Sequence, residues 1–193
     1  VYGAQAIAMP IKTGIRVAIA KLPPEKSGLG PIIRGVGPFF MGEFYKNSAS
    51  CPAILKAALN YLADTFGPMM LDLAIVVDGS LPAGRGLGSS ASLSVALIKG
   101  IFRYFSWELA DCGLKRHSLA LETIFHGQPS GIDHSVVIKE QVIGKTPNNH
   151  LKSAKNGDYI ARQYDGKFIL LSGAEFERLY QQTHILIADQ DNV

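Results

Sequence analysis

Charge of either sign is scarce in this sequence, and its imbalance is small. Of 193 residues, 18% are charged and the formal net charge is +3. That is too little to argue for nucleic acid, and no basic stripe interleaved with aromatics is present. Cysteine is nearly absent. Cys51 and Cys112 lie far apart without metal-ligand spacing, which points to buried, reduced thiols in a cytoplasmic protein. No apolar run reaches the length of a membrane span and no signal-peptide pattern is visible, so no membrane partner is expected. Internal repeats and low-complexity tracts are missing as well.

What is abundant is apolar side chain, 47% of the residues, enough for a folded globular core. The chain opens on Val1-Tyr2-Gly3 and closes on a strand-like Ile185 to Ala188 followed by Asp189-Gln190-Asp191-Asn192-Val193. Both ends look cut, and an interior piece of a longer protein is the expectation. Ala4 to Ile11 and Gly14 to Ala20 flank Lys12-Thr13-Gly14 and predict a hairpin. Leu22 to Pro38, rich in glycine, proline and charge, reads as surface loop with Arg34 solvated. Ile54, Leu55, Ala58, Leu59 and Leu62 recur at helical spacing between Pro52 and Gly67 and predict a helix over 51–66.

A buried strand is expected over 71–79 and a helix over 89–105. A second helix over 114–125 would have Leu119, Ala120, Ile124 and Phe125 as its apolar face. The stretch 126–134 is turn-rich, and 135–143 looks extended. Residues 144–157 read as loop or hairpin turn, 167–171 and 184–188 as strands, and 174–182 as a short helix.

Between that strand and helix lies Pro82-Ala83-Gly84-Arg85-Gly86-Leu87-Gly88-Ser89-Ser90-Ala91-Ser92. Glycines let the backbone turn sharply and approach a ligand closely. The first amides of the following helix have no intrahelical acceptor, so the loop is an anion site and a phosphate is the obvious guest. A P-loop would end in Gly-Lys-Ser/Thr, and no such lysine is present. The dinucleotide pattern Gly-x-Gly-x-x-Ala is met formally by Gly86, Gly88 and Ala91, with Glu108 or Asp111 near the distance of its acidic partner, but helix and loop occupy the place of its second strand. An ordinary serine-capped turn would need fewer glycines. The dinucleotide pattern stays as the runner-up; every element of a long Pro-x-x-x-Gly-Leu-Gly-Ser-Ser-Ala loop feeding a helix is present.

On those residues the sequence resembles the GHMP kinases, a family named for galactokinase, homoserine kinase, mevalonate kinase and phosphomevalonate kinase. Pro82 to Ser92 matches the family's ATP phosphate loop. The later stretch His126-Gly127-x-Pro129-Ser130-Gly131-x-Asp133 is similar to the loop carrying the catalytic aspartate in the mevalonate kinase branch. Glu122 stands where that branch places a glutamate, and residues 1–20 resemble the segment after the family's first motif. The resemblance implies an α/β (α+β) fold with a mixed sheet backed by helices. It also implies one ATP-binding domain over 1–193, whose last residues approach a C-terminal domain missing from this stretch.

The implied reaction is ATP- and Mg²⁺-dependent phosphorylation of the primary hydroxyl of mevalonate. Another small alcohol, or an ATP-binding module without catalysis, are the alternatives, and a homodimer is a further expectation. Pro82, Gly84, Arg85, Gly86, Leu87, Gly88, Ser89, Ser90 and Ala91 would bind the nucleotide. Ser90 and Glu122 would contact the metal, and Asp133 would face the acceptor hydroxyl as base or electrostatic anchor. Alone, Glu122 reads as a solvated helix residue and Asp133 as a turn or cap. His126 reads as structural, Ser130 as turn former or substrate contact, and Arg85 as reaching either phosphate or solvent. The sequence departs from the family in three ways. The first-motif lysine and the third glycine-rich motif are not in this stretch, Val136-Val137-Ile138-Lys139 replaces a glycine pair, and 140–182 is long enough to hold an insertion.

Overall fold

The structure, a computed structural model, describes residues 6–11, 14–26, 28–36, 41–79, 81, 87–139, 143–145, 151–153, 159–162, 168–172 and 174. The chain divides into two compact units, one of residues 10–140 and one of residues 1–9 with 141–193.

The larger unit is built on four strands, β2 (Ile15–Lys21), β3 (Ile32–Val36), β4 (Gly42–Tyr45) and β5 (Leu73–Gly79), in the order β2-β5-β3-β4. The sheet is mixed. β5 pairs antiparallel with β2, Ile15 opposite Gly79 and Lys21 opposite Leu73, and parallel with β3, Ile32 opposite Ala74. β4 closes the edge antiparallel to β3. Side chains alternate across a strand, so Leu73, Ile75 and Val77 of β5 are buried while Val76 between them is exposed. On the covered side lie α1 (Ala53–Phe66), α2 (Ser89–Tyr104), α3 (Asp111–His126) and α4 (Ile132–Lys139). This is the mixed sheet backed by helices that the sequence predicts.

Helix α2 is the hub, packing on β2, α3 and α4. Ala91, Leu93, Leu97, Ile98 and Ile101 are all buried. Gly100 lets the sheet come close: a Cβ there would stand 3.2 Å from Ile19 Cδ1 and 3.5 Å from Val17 Cγ1. Helix α1 buries Leu55, Ala58, Leu59 and Leu62 as its spacing predicts, with Ile54 left exposed.

Several expectations are corrected. Among the described residues, the strands on either side of Lys12-Thr13-Gly14 take other partners than the expected hairpin: β1 (Ala6–Ala8) pairs with β6 (Ile143–Lys145) and β2 pairs with β5. β2 takes that partner along seven residues, which turns Ile15, Val17 and Ile19 toward the core. The span 22–38 is not all loop. Ile32 and Ile33 are buried in β3, with Arg34 outward as expected, and a window average over its glycines and prolines hides the strand. Residues 135–138 are helical rather than extended. Val136-Val137-Ile138 favour a strand intrinsically, but packing of α4 on α2 and α3 overrides that preference.

The inward face of α3 is Leu114, Ser118, Leu121 and Glu122, whereas Leu119, Ala120, Ile124 and Phe125 are half-buried. Two of the four inward residues are polar, so a hydrophobic pattern points beside the true face. Cys51 is buried, but Cys112 is exposed near the start of α3, off that inward face; both are free thiols.

In the smaller unit, β6 pairs antiparallel with β1 and with β7 (Leu151–Ser153), so strand residues stand within 144–157, which the sequence reads as loop or hairpin turn. β8 (Tyr159–Arg162) pairs antiparallel with β9 (Phe168–Leu171); the sequence predicts β9 but not β8. The helix expected over 174–182, beyond Ala174, and the strand over 184–188 lie outside the described residues. No helix among the described residues is long and apolar enough to cross a membrane.

Candidate functional site

The site assembles at the N-terminal end of α2. Gly88 precedes the helix with φ +65°, ψ +26°, a left-handed conformation that glycine adopts at little cost. No side chain caps the helix. Ser92 N–H donates to the Gly88 carbonyl at 2.9 Å and closes the first turn. The amides of Ser89, Ser90 and Ala91 therefore lie ahead of the intrahelical ladder, at the positive end of the helix dipole. Leu87 is exposed, Ser89 and Ala91 are buried, and Ser90 is half-buried. Pro82, Gly84, Arg85 and Gly86 lie outside the described residues.

Asp133 reaches this helix start from α4. A Cβ on Gly88 would stand 3.6 Å from Asp133 Cβ and 3.7 Å from its Cγ, so the glycine keeps room beside the carboxyl group. The turn before α4 sets that position. Gly131 has φ +74°, Ser130 Oγ accepts from Ile132 N–H at 3.3 Å, and Ser135 Oγ donates to the Gly131 carbonyl at 2.9 Å. Ser130 thus serves as the turn former that the sequence offers as one of its two roles. His126 is exposed at the end of α3, where its backbone carbonyl accepts from Gln128 N–H.

Glu122 comes from α3 and is only 4% exposed, so it is no solvated helix residue. It lies eight residues after Leu114 on the stripe that faces the core. Ser90 Oγ donates to its Oε1 at 3.4 Å, a long hydrogen bond. Its Oε2 lies against Nδ1 of His134, the fully buried histidine beside Asp133. Apart from that contact and the nearby Ser118 backbone, Glu122 Oε2 and both ring nitrogens of His134 make no well-aligned hydrogen bond among the described residues.

Burial first, then the Asp133 carboxylate, push the Glu122 pKa up to about 7, against the opposing pull of the Ser90 hydroxyl. Burial holds the His134 imidazole below the ordinary histidine range. The Ser118 backbone and Asp133 favour the charged ring, and Lys115 opposes it. Near pH 7 the unliganded Glu122 carboxyl is thus about half protonated.

The sequence brings Gly88, Ser90, Glu122 and Asp133 into one candidate set, and the structure gathers all four. His134 is the member that sequence reading misses. A histidine following a candidate aspartate carries no periodic signal, and its importance comes from the way α4 packs on α3. The donors fit a hard cation. The Ser90 hydroxyl and Glu122 Oε1 face each other at 3.4 Å across a long hydrogen bond, and the Asp133 carboxylate acts on the same group. Among the described residues no cluster of three or more His, Cys, Asp or Glu side chains is arranged to hold a metal. Mg²⁺ does not need one, since it takes one or two protein oxygens and completes its shell with phosphate and water.

Residues 53–140, which hold this entire set, match the GHMP kinases N terminal domain. That match to the GHMP kinase family covers just under half of the chain. Mevalonate kinases predominate among the relatives of this chain. The mevalonate kinase of Methanocaldococcus jannaschii is 25% identical over 183 residues, covering 89% of this chain and 56% of that protein. A galactokinase of Clostridium perfringens is 30% identical over 88 residues, covering 46% of this chain and 23% of that protein. In fold, the crystal structure of mevalonate kinase from methicillin-resistant Staphylococcus aureus superposes with a TM-score of 0.62 at 24% identity, over 86% of this chain and 55% of that one. The chain spans between 26% and 56% of the length of the first curated relatives it matches.

Proposed function

We propose that this chain carries the nucleotide- and metal-binding part of a kinase that moves the γ-phosphoryl group of ATP to the primary hydroxyl of mevalonate. The observation that carries the proposal is the convergence of Asp133, Ser90 and Glu122 on the start of α2. Three separate helices deliver them there.

In this reading the amides from Gly86 to Ala91 hold the β- and γ-phosphates, with Pro82, Gly84, Arg85 and Leu87 shaping the loop. Ser90 Oγ and Glu122 Oε1 hold Mg²⁺, which supplies positive charge to the phosphate oxygens. Asp133 orients the acceptor hydroxyl and takes up its proton. The new oxygen–phosphorus bond forms as the bond from Pγ to the ADP oxygen breaks. Metal binding requires Glu122 ionised, so cation and proton compete for one carboxylate. Mevalonate is supported as acceptor by the predominance of mevalonate kinases among the relatives and by the His126 to Asp133 loop. A different small alcohol acceptor, such as a sugar hydroxyl, is the second reading, favoured by the galactokinase match. A cytoplasmic location goes with both readings.

The test is ADP release by the full-length protein with ATP and Mg²⁺, offered mevalonate, phosphomevalonate, homoserine and galactose in turn. Turnover with mevalonate well above the others is expected. Turnover with galactose alone would replace the acceptor, and ATP binding without turnover on any of them would leave a binding module.

A further inference from the structure

The Glu122 carboxylate is gripped from two sides. Its Oε1 faces Ser90 on α2, and its Oε2 lies against His134 on α4. The two grips differ in kind. The Ser90 contact is long, from a half-buried hydroxyl that the same reading assigns to the cation. The His134 contact is close, made by a ring that is fully buried and cannot swing to solvent. A carboxylate on a helix turns freely about its terminal torsion unless its two oxygens are distinguished. Among the described residues the Ser90 hydroxyl meets Oε1 and the imidazole meets Oε2, and once Ser90 is given to the cation the imidazole is what keeps the two apart; without it Oε2 would be a buried acceptor facing no donor, a costly state.

Resting on the proposal that Ser90 and Glu122 hold Mg²⁺, we propose that His134 is the positioning residue for the Glu122 carboxylate, with its Nδ1–H holding Oε2 so that Oε1 stays turned toward Ser90. Ser118 sits one turn before Glu122 on the same buried face of α3, but its hydroxyl is committed to the Leu114 carbonyl at 2.7 Å. Among the described residues that leaves the His134 ring as the group in contact with Oε2. Partners of this kind typically set metal affinity by ~10–100-fold.

The experiment titrates Mg²⁺ into the full-length protein saturated with ADP, beside ADP binding in EDTA. His134→Leu removes the donor and is expected to weaken Mg²⁺ by ~10–100-fold while leaving ADP affinity in EDTA unchanged. His134→Asn puts an amide nitrogen at the place of Nδ1 and should restore most of the affinity. His134→Gln places its amide where Nε2 stands and should not. Glu122→Gln, run in parallel, should weaken Mg²⁺ on its own account. Should the leucine variant fail to fold, the asparagine and glutamine variants decide the question, and equal Mg²⁺ affinity in those two overturns the proposal. Loss in Glu122→Gln with none in any His134 variant also overturns it while leaving the metal contact standing. Unchanged Mg²⁺ binding in Glu122→Gln removes the metal contact itself, and the positioning role falls with it.

Discussion

The two ends of α2 are built on opposite principles. At its C-terminal end aromatic rings close the fold. Phe66 meets Phe102 edge-on at 5.4 Å, Phe102 meets Trp107 edge-on at 5.6 Å, and Phe105 stacks on Trp107 at 4.7 Å. His117 joins that group and makes a 3.1 Å hydrogen bond with Tyr61. The N-terminal end has a bare helix start, a glycine where a side chain would crowd a carboxyl group, and a buried acid against a buried imidazole. One end is satisfied; the other is left wanting a ligand. The contrast runs along a single helix about four turns long, and under the proposed function it says which substitutions should hurt folding and which should hurt chemistry.

The sharpest way to break that contrast is at Asp133. Asp133→Asn in the full-length protein should cut turnover by ~10²–10⁴-fold, the usual share of a positioned acid or base. Nucleotide affinity and thermal midpoint should stay near those of the parent. Activity near the parent level would remove Asp133 from the chemistry. The mirror experiment is Phe102→Ala at the other end of the helix. Its ring is half-buried, so a loss of about 3 kcal/mol is expected, the low end for aromatic truncations. The urea midpoint should fall while the Michaelis constant for ATP in the folded fraction stays unchanged. A shift in that constant with an unchanged midpoint would show that the two ends are coupled.

The two ends also differ in what the sequence reveals of them. α1, β5 and α2 are legible because their apolar residues recur at a clean period over many residues. The glycine loop is legible as an anion site from its glycines and serines, whereas Ser90 and Asp133 join Gly88 in one set only through the resemblance to the GHMP kinases. Glu122 is legible as a member of the set but not as a buried one, since Ser118 and Glu122 interrupt the apolar stripe that would mark the face. α4 is misread because its β-branched run obeys strand preference locally and tertiary packing globally. The hairpin expected at Lys12-Thr13-Gly14 gives way to other pairings for a related reason: two strands in succession do not tell which more distant strand each will choose. His134 has no local signal at all.

The smallest effect predicted is also the most particular to the open end. Because the folded-state pKa of Glu122 is raised to about 7 from its ordinary 4.5, the fold prefers the protonated acid. The stability this contributes is fully present below pH 4.5 and is lost as pH rises through 7, where the buried carboxylate ionises. Glu122→Gln keeps the neutral shape at every pH. In metal-free protein its thermal midpoint should exceed that of the parent at pH 8, and the gap should close on acidification and vanish near pH 4.5. With Mg²⁺ and ADP bound the sign should reverse at pH 8, because ligand that binds only the folded parent stabilises it, and the glutamine lacks the charge to hold the cation. A gap that stays constant with pH would mean that Glu122 does not titrate in the fold. A gap that follows pH but ignores the metal would mean that the buried acid, although strained, is not the site of the cation.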